Sequence, residues 1–196
     1  MRNLILSPRT QSGPYRMLLP IWCAVLAVAL LAATMGRAAD VNPIAPFVGN
    51  YVGSAEVMSP EGVHSLRDMS VSIRENDDGF TVQWTSTTRK PDGRLKEKSY
   101  SIDFLPSERE GIYSAAMRRN VFGHAVQLDP MKGEPFVWGR IQNETLTVYS
   151  LFVDEEGGYE LQQFDRTLTE GGLILRFTDL RNGDKQRSVD TLLTRE

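Results

Sequence analysis

The 196-residue chain has little cysteine, little histidine and no excess of positive charge. Its single cysteine, Cys23, excludes an intramolecular disulfide and any metal site built from several cysteines. Lys and Arg number 22 against 25 Asp and Glu, which gives a net charge of −3. This balance argues against a nucleic-acid binder, because such a protein needs a basic surface. With 41% hydrophobic and 24% charged residues, the composition is that of an ordinary globular protein.

Sequence signatures of catalysis are missing as well. The chain contains no Gly-x-Ser-x-Gly, no His-Glu-x-x-His, no phosphate-binding loop and no dinucleotide-binding fingerprint. Its two histidines, His64 and His124, lie sixty residues apart, so no metal site is predicted. His124 is the better candidate for a haem ligand, but an exposed loop histidine is the simpler interpretation, and no cofactor is predicted.

The first forty residues have the pattern of a secretory signal peptide. Three arginines precede an uncharged apolar run at residues 17–33, and small residues follow it. Cleavage after Ala38 places Gly36 and Ala38 at the two positions that require small side chains. We therefore predict a signal peptide at 1–38 and a domain at 39–196 that is periplasmic or secreted, with no membrane span in the mature form.

A membrane anchor over residues 17–36 is the alternative to a cleaved signal. The apolar run is close to the minimum length for a span, and Pro20 interrupts it. Cleavage removes four arginines and no acidic residue, so the remaining chain has 18 basic and 25 acidic residues and a net charge of −7. It contains no cysteine, and its stability therefore has to come from its core.

Period-2 alternation of apolar and polar residues dominates the predicted mature chain, and no amphipathic helix is evident. Polar residues occupy the intervening positions of each run, as half-buried strands require. The apolar positions are Met69, Val71 and Ile73; Phe80, Val82 and Trp84; Tyr100, Ile102 and Phe104; Leu146, Val148 and Phe152; Leu173, Leu175 and Phe177; and Val189 and Leu193.

Turn sequences separate these runs at 76–79, 90–93, 154–158, 170–172 and 182–184. Asn-Gly and Gly-Gly pairs are strong signals for hairpins. The pattern predicts one all-β domain, an antiparallel meander barrel of about 8–10 strands. Charged residues on the polar faces favour water outside and a dry interior over an outer-membrane barrel, which has the opposite arrangement.

The start of the domain resembles the opening of lipocalin-like (calycin) β-barrels. Residues 47–53 read Phe-Val-Gly-Asn-Tyr-Val-Gly, and calycins have a Gly-x-Trp at that place, with Tyr here instead of Trp. Small bacterial secreted barrels of unknown function are similar too. The resemblance implies that Gly49 lets the entering chain cross close to the barrel base, that Tyr51 closes that end, and that Arg195 covers the aromatic ring. Alternatively, Gly49 and Gly53 are strand bends and Tyr51 is ordinary core.

Residues 116–135 break the alternation, and such a segment is either functional or ordered by local packing. It carries three basic candidates among apolar side chains, and two further candidates follow on the next strand. Basic groups among apolar ones suit a ligand with an acidic head and an apolar tail, as at the mouth of a barrel. The alternative is a lid that only covers one end. The five residues are Arg118, Arg119, His124, Trp138 and Arg140.

The favoured hypothesis is an exported binding module for a small apolar or amphiphilic ligand. Its interior is expected to be lined by Phe80, Val82, Trp84, Tyr100, Ile102, Phe104 and Trp138. The predicted ligand-binding residues are Trp84, Tyr100, Phe104, Arg118, Arg119, His124, Trp138 and Arg140. The alternative is an interaction module with a filled core that binds a protein of the cell envelope. An enzyme that uses His124 as a base is the least favoured hypothesis, because the sequence shows no partner for that base.

Overall fold

The computed structural model describes residues 42–58, 64–90, 92–119 and 124–196, with backbone only at Met58, Arg119 and Ala125. The compact unit that contains them spans Asn42–Glu196. The predicted signal peptide lies outside the described residues. Within these ranges, no helix has the length and apolar character that a membrane span requires.

The fold is a closed all-β barrel of ten antiparallel strands, in the order β1-β12-β11-β10-β9-β8-β5-β4-β3-β2. It confirms the meander predicted from the alternation, since each strand pairs with its nearest barrel neighbours along the chain. Two short strands, β6 and β7, form a separate two-stranded sheet. The strands are β1 (Gly49–Met58), β2 (His64–Asn76), β3 (Gly79–Arg89), β4 (Leu95–Pro106), β5 (Ile112–Ala115), β6 (Arg118–Arg119), β7 (Ala125–Val126), β8 (Phe136–Gln142), β9 (Thr145–Val153), β10 (Tyr159–Thr169), β11 (Gly172–Arg181) and β12 (Asp184–Arg195), and the 3-10 turns are Ala45–Phe47 and Pro130–Lys132.

The hairpin between β11 and β12 illustrates how the turn sequences specify the register. Asn182 and Gly183 both have positive φ, 52° and 90°. Two consecutive residues with positive φ make the type I′ turn, whose twist matches that of the flanking strands. Asparagine and glycine tolerate this conformation, so the predicted turn at 182–184 forms with a two-residue loop.

At one end of the barrel, its base, the expected contact between Tyr51 and Arg195 is present. The Arg195 guanidinium lies 5.1 Å from the centroid of the Tyr51 ring. Its Nη2 donates to the Tyr51 hydroxyl at 2.7 Å and to the Pro46 carbonyl at 3.0 Å, and Nη1 donates to the Val48 carbonyl at 3.1 Å. A Cβ at Gly49 would lie 3.3 Å from the Tyr51 ring, so glycine permits the close crossing of the chain.

The lower half of the barrel, next to this base, is filled with side chains. Phe80 stacks on Phe104 with ring centroids 5.1 Å apart, and the Tyr113 ring packs edge-on against Phe80 at 4.9 Å. Both phenylalanines are at most 1% exposed. The other buried residues of this core are Ile44, Phe47, Tyr51, Ile73, Val82, Ile102, Ala115, Val137, Leu146, Val148, Leu173 and Leu193, with Val71 and Leu175 at its upper edge. Most apolar positions of the alternating runs are thus buried, as predicted, whereas Tyr100 and Phe152 are exposed.

Candidate functional site

The upper half of the barrel contains a cavity of about 140 Å³. An apolar cavity of similar size in another protein accommodates a benzene molecule, so there is room for about one aromatic ring. The interior is therefore filled at the base and open above it, which is intermediate between the two arrangements considered from the sequence. The side chains that define its chemistry are Arg67, Met69, Trp84, Tyr100, Phe164, Arg166, Phe177 and Arg187.

Aromatic rings form a continuous layer around the cavity. Trp84 on β3 stacks on Tyr100 of β4 at 5.2 Å, and its ring lies 5.7 Å from that of Phe164 on β10. Phe164 in turn packs against Phe177 of β11 at 4.7 Å. These residues meet because the strand register places Trp84 opposite Tyr100 and Phe164 opposite Phe177. The layer offers flat apolar faces to a ring or a short aliphatic chain.

The guanidinium of Arg166 lies directly below this aromatic layer. Arg166 is 1% exposed, and its Cζ is 5.7 Å from the Trp84 centroid and 5.6 Å from the Phe164 centroid. Its Nε and Nη1 have no hydrogen-bond partner among the described residues. Burial lowers the pKa of Arg166 to about 10, an effect that the nearby Asp165 carboxylate opposes. The side chain therefore remains positively charged at neutral pH.

A buried cation without a hydrogen-bond partner is unusual, because the desolvation of a charge is normally offset by pairing or hydrogen bonding. The two aromatic rings supply part of this compensation through cation–π contacts. They do not satisfy the N–H groups, whose geometry matches a carboxylate or another oxyanion. The site can therefore bind a small anion whose apolar part packs against the aromatic layer.

More basic side chains surround the entrance above the aromatic layer. Arg67, Arg187 and Lys98 line both the cavity and an adjoining space of about 280 Å³, where Lys90 and Lys96 also lie. Burial, and then the charge of Arg187, lower the pKa of Arg67. The Nε of Arg67 is buried without a hydrogen-bond partner among the described residues. The entrance therefore carries a cluster of basic side chains.

One acidic group is buried at this level. Asp179 is 2% exposed and forms an ion pair with Arg187 through its Oδ2. The register places the two residues opposite each other on β11 and β12. This pair neutralises one of the basic groups at the entrance and leaves Arg67 and Lys98 without such a partner among the described ion pairs.

The predicted aromatic residues occupy two different levels of the barrel. Trp84 and Tyr100 line the cavity. Tyr100 is 47% exposed, because β5 pairs with β4 only at Phe104–Pro106 and leaves the rest of that edge uncovered by a barrel strand in the described ranges. Phe104 is fully buried in the filled lower half. Two of the three residues are thus brought together at the cavity.

Trp138 and Arg140 lie on the outer face of β8. The neighbouring Val137 is buried inside the barrel, and alternation along the strand sends the two predicted residues to the opposite side. There Trp138 stacks on Tyr149 at 4.7 Å, and the Arg140 guanidinium lies 5.9 Å from the same ring. The structure therefore places these two residues away from the cavity.

The irregular segment holds the remaining predicted residues and is ordered by local ion pairs. Arg118 pairs with Glu134. The backbone N–H of Asp129, and then Arg118, lower the pKa of Glu134. Arg119 belongs to the short sheet of β6 and β7, and its side chain lies outside the described residues. His124 is exposed next to β7. The described side chains that line the cavity include none from this segment.

Sequence reasoning missed the inward-facing cations Arg67, Arg166 and Arg187. It assigned charged residues in alternating runs to the solvent face, and it assigned no alternation to the polar run at 159–169. Within that run, Phe164, Arg166 and Leu168 share one face. An arginine in the phase of two apolar residues is the sequence signal that identifies a buried charge.

The side chains at the cavity are of the kinds that bind an anion with an apolar part. In the ranges that the structure covers, no three His, Cys, Asp or Glu side chains converge as a metal-binding group. The cavity wall consists of cations, aromatic rings, aliphatic side chains, small hydroxyl side chains and the amide of Gln162. Such a wall orients a ligand by its charge and buries its apolar part.

Comparison with known proteins supplies no relative: no protein-family model and no curated protein matches this sequence.

Proposed function

We propose that this protein is an exported binding module whose barrel interior holds a small amphiphilic ligand with an acidic head. The observation that supports the proposal best is Arg166, a buried guanidinium with unsatisfied N–H groups beneath an aromatic layer. An anion supplies the missing hydrogen-bond acceptors, and Trp84 and Phe164 contact the apolar part of the ligand. The basic entrance draws the anion inward.

The purified protein is tested with a matched pair of small aromatic compounds. 3-Phenylpropionate carries one carboxylate, and 3-phenylpropan-1-ol is its uncharged analogue. A charge-assisted hydrogen bond contributes about 1.5–3 kcal/mol, so the acid is expected to bind at least ~10-fold more tightly than the alcohol. Isothermal titration calorimetry measures both affinities. Equal affinities, or no binding of either compound, would contradict the proposal.

Two variants locate the effect within the molecule. Arg166→Met removes the buried charge and is expected to abolish the preference for the acid. Arg176→Met makes the same change on the outer face of β11, where Arg176 and Asp190 form an exposed ion pair at 3.1 Å. This control retains the preference. Loss of the preference in both variants would place the binding outside the cavity.

Export remains part of the proposal and has its own test. It rests on the basic start, the apolar run and the small residues of 1–38. Mass spectrometry of the protein recovered from the periplasm or the medium is expected to give Ala39 as the first residue. A protein that retains 1–38 would favour the membrane anchor instead. The geometry of Gly49, Tyr51 and Arg195 at the base supports a lipocalin-like barrel.

The interaction-module hypothesis has one feature in its favour, the filled lower half of the barrel. A protein that binds partners only through its surface gains nothing from an unsatisfied guanidinium in its interior, because an apolar side chain there gives greater stability. The buried charge of Arg166 therefore favours the ligand-binding module.

A further inference from the structure

The inward-facing side chains of the upper barrel are arranged in layers. Strand register places Trp84 opposite Tyr100 and Ser86 opposite Lys98, while Phe164 faces Phe177 and Gln162 faces Asp179. Since successive inward positions are two residues apart, each pair belongs to one level of the barrel. Arg166 lies below the aromatic layer. Lys98 and Arg187 lie at the first level above it, and Arg67, which the register places opposite Thr88, lies one inward position further up.

The two basic levels are separated by the aromatic layer. Arg166 and Gln162 are four residues apart on β10, which corresponds to about 13 Å along an extended strand. The Trp84 and Phe164 rings lie 5.7 Å apart at the intermediate level and line the cavity there. One compact anion, such as phosphate, reaches one level only. A ligand that satisfies both levels has two acidic groups with an apolar group between them.

Charge is strongly segregated in this part of the molecule. Residues 39–196 carry 25 acidic and 18 basic side chains, yet six of the basic ones line the cavity and its entrance, and no acidic residue does so among the described lining residues. Asp179 lies next to them and pairs with Arg187. The excess of positive charge exceeds what a single carboxylate neutralises. The six residues are Arg67, Lys90, Lys96, Lys98, Arg166 and Arg187.

We propose that the ligand class is a small organic dianion with an acidic group at each end of an apolar, ring-sized middle. One acid binds Arg166 at the floor, the middle packs within the aromatic layer, and the second acid binds Arg67 and Lys98 at the entrance. This inference rests on the proposed function and specifies its ligand. We therefore expect the site to select ligands by the distance between their two acidic groups, and not only by their net charge.

Three compounds with the same phenyl ring separate these effects. 3-Phenylpropionate carries one acid, 3-(4-carboxyphenyl)propionate carries one at each end, and benzylmalonate carries two at the same end. Calorimetry on the purified protein is expected to show 3-(4-carboxyphenyl)propionate binding about 10-fold more tightly than either of the others, because it alone reaches both basic levels. Benzylmalonate is expected to stay within about 3-fold of 3-phenylpropionate.

Variants assign each acid to its level. Lys98→Met is expected to reduce the affinity for 3-(4-carboxyphenyl)propionate several-fold more than that for 3-phenylpropionate, whereas Arg166→Met reduces both. Lys132→Met, in the exposed 3-10 turn, serves as the control and leaves the affinities unchanged. Circular dichroism confirms that each variant retains its strand content.

Three other outcomes would contradict either the two-level inference or the proposed function. If benzylmalonate binds as tightly as 3-(4-carboxyphenyl)propionate, the site responds to net charge and the two-level inference fails. If 3-phenylpropionate binds as tightly as both dianions, the inference also fails while the proposed function stands. If none of the three compounds binds, the proposed function itself fails.

Discussion

Replacement of Arg166 by methionine is expected to stabilise the ligand-free protein. The decrease of the Arg166 pKa to about 10 corresponds to about 3 kcal/mol of unfavourable free energy for the charged form in the folded state. Methionine has a similar length and adapts to the same space. Loss of the cation–π contacts with Trp84 and Phe164 offsets about 1 kcal/mol of the gain. The net effect is an increase of about 2 kcal/mol in the free energy of unfolding.

Thermal unfolding, followed by circular dichroism at pH 7 without ligand, measures this effect. For a domain of this size, 2 kcal/mol corresponds to an increase of roughly 4–8 °C in Tm. Arg176→Met on the outer face provides the matched control and is expected to change the free energy of unfolding by less than ~1 kcal/mol, because its ion pair is exposed. A Tm several degrees below that of the wild type would refute the reasoning, since Arg166 would then stabilise the fold without any ligand.

Three further predictions concern the buried charge and the filled end of the barrel. The increase in the free energy of unfolding caused by Arg166→Met is fully present below pH 10 and becomes smaller above it, because Arg166 of the folded wild type loses its proton near its pKa of about 10, before the unfolded chain does. Urea titrations of both proteins at pH 8 and pH 11 measure this increase. An equal increase at the two pH values would contradict the lowered pKa of Arg166. Arg195→Met is expected to lower the free energy of unfolding by about 1–3 kcal/mol through loss of its hydrogen bonds to the Tyr51 hydroxyl and to backbone carbonyls, and urea denaturation checks it. Phe80→Ala is expected to lower it by about 3–5 kcal/mol, because the ring packs against Phe104 where no space remains; a loss below 1 kcal/mol in the same assay would show that the lower half is loosely packed.

The sequence predicted the barrel because alternation and turn chemistry are local signals. The inward face of β2 is evident from its apolar residues Met69, Val71 and Ile73. The pair Asn182-Gly183 specifies the turn that joins the last two strands. The contact of Arg195 with Tyr51 was expected from the calycin resemblance, which implies a basic residue of the last strand over the aromatic residue of the first, and these two strands pair in the barrel.

The site was less predictable, because it depends on which strands face each other across the barrel. Trp84 and Tyr100 were identified because each is an aromatic residue at an inward-facing position of an alternating run. Trp138 is also aromatic, but it has the outward phase on β8, and the short run at 136–142 does not reveal that phase. In any local stretch of sequence Arg166 resembles a solvent-facing arginine, and its burial becomes evident only from the packing of Phe164 and Trp84 against it.

The most direct test of ligand binding at Arg166 is a crystal structure of the protein grown with saturating 3-phenylpropionate. The carboxylate is expected to lie within about 3 Å of the Arg166 guanidinium nitrogens, and the phenyl ring is expected to pack against Trp84 and Phe164. An empty cavity, or a carboxylate bound only to the outer face of the barrel, would contradict this expectation.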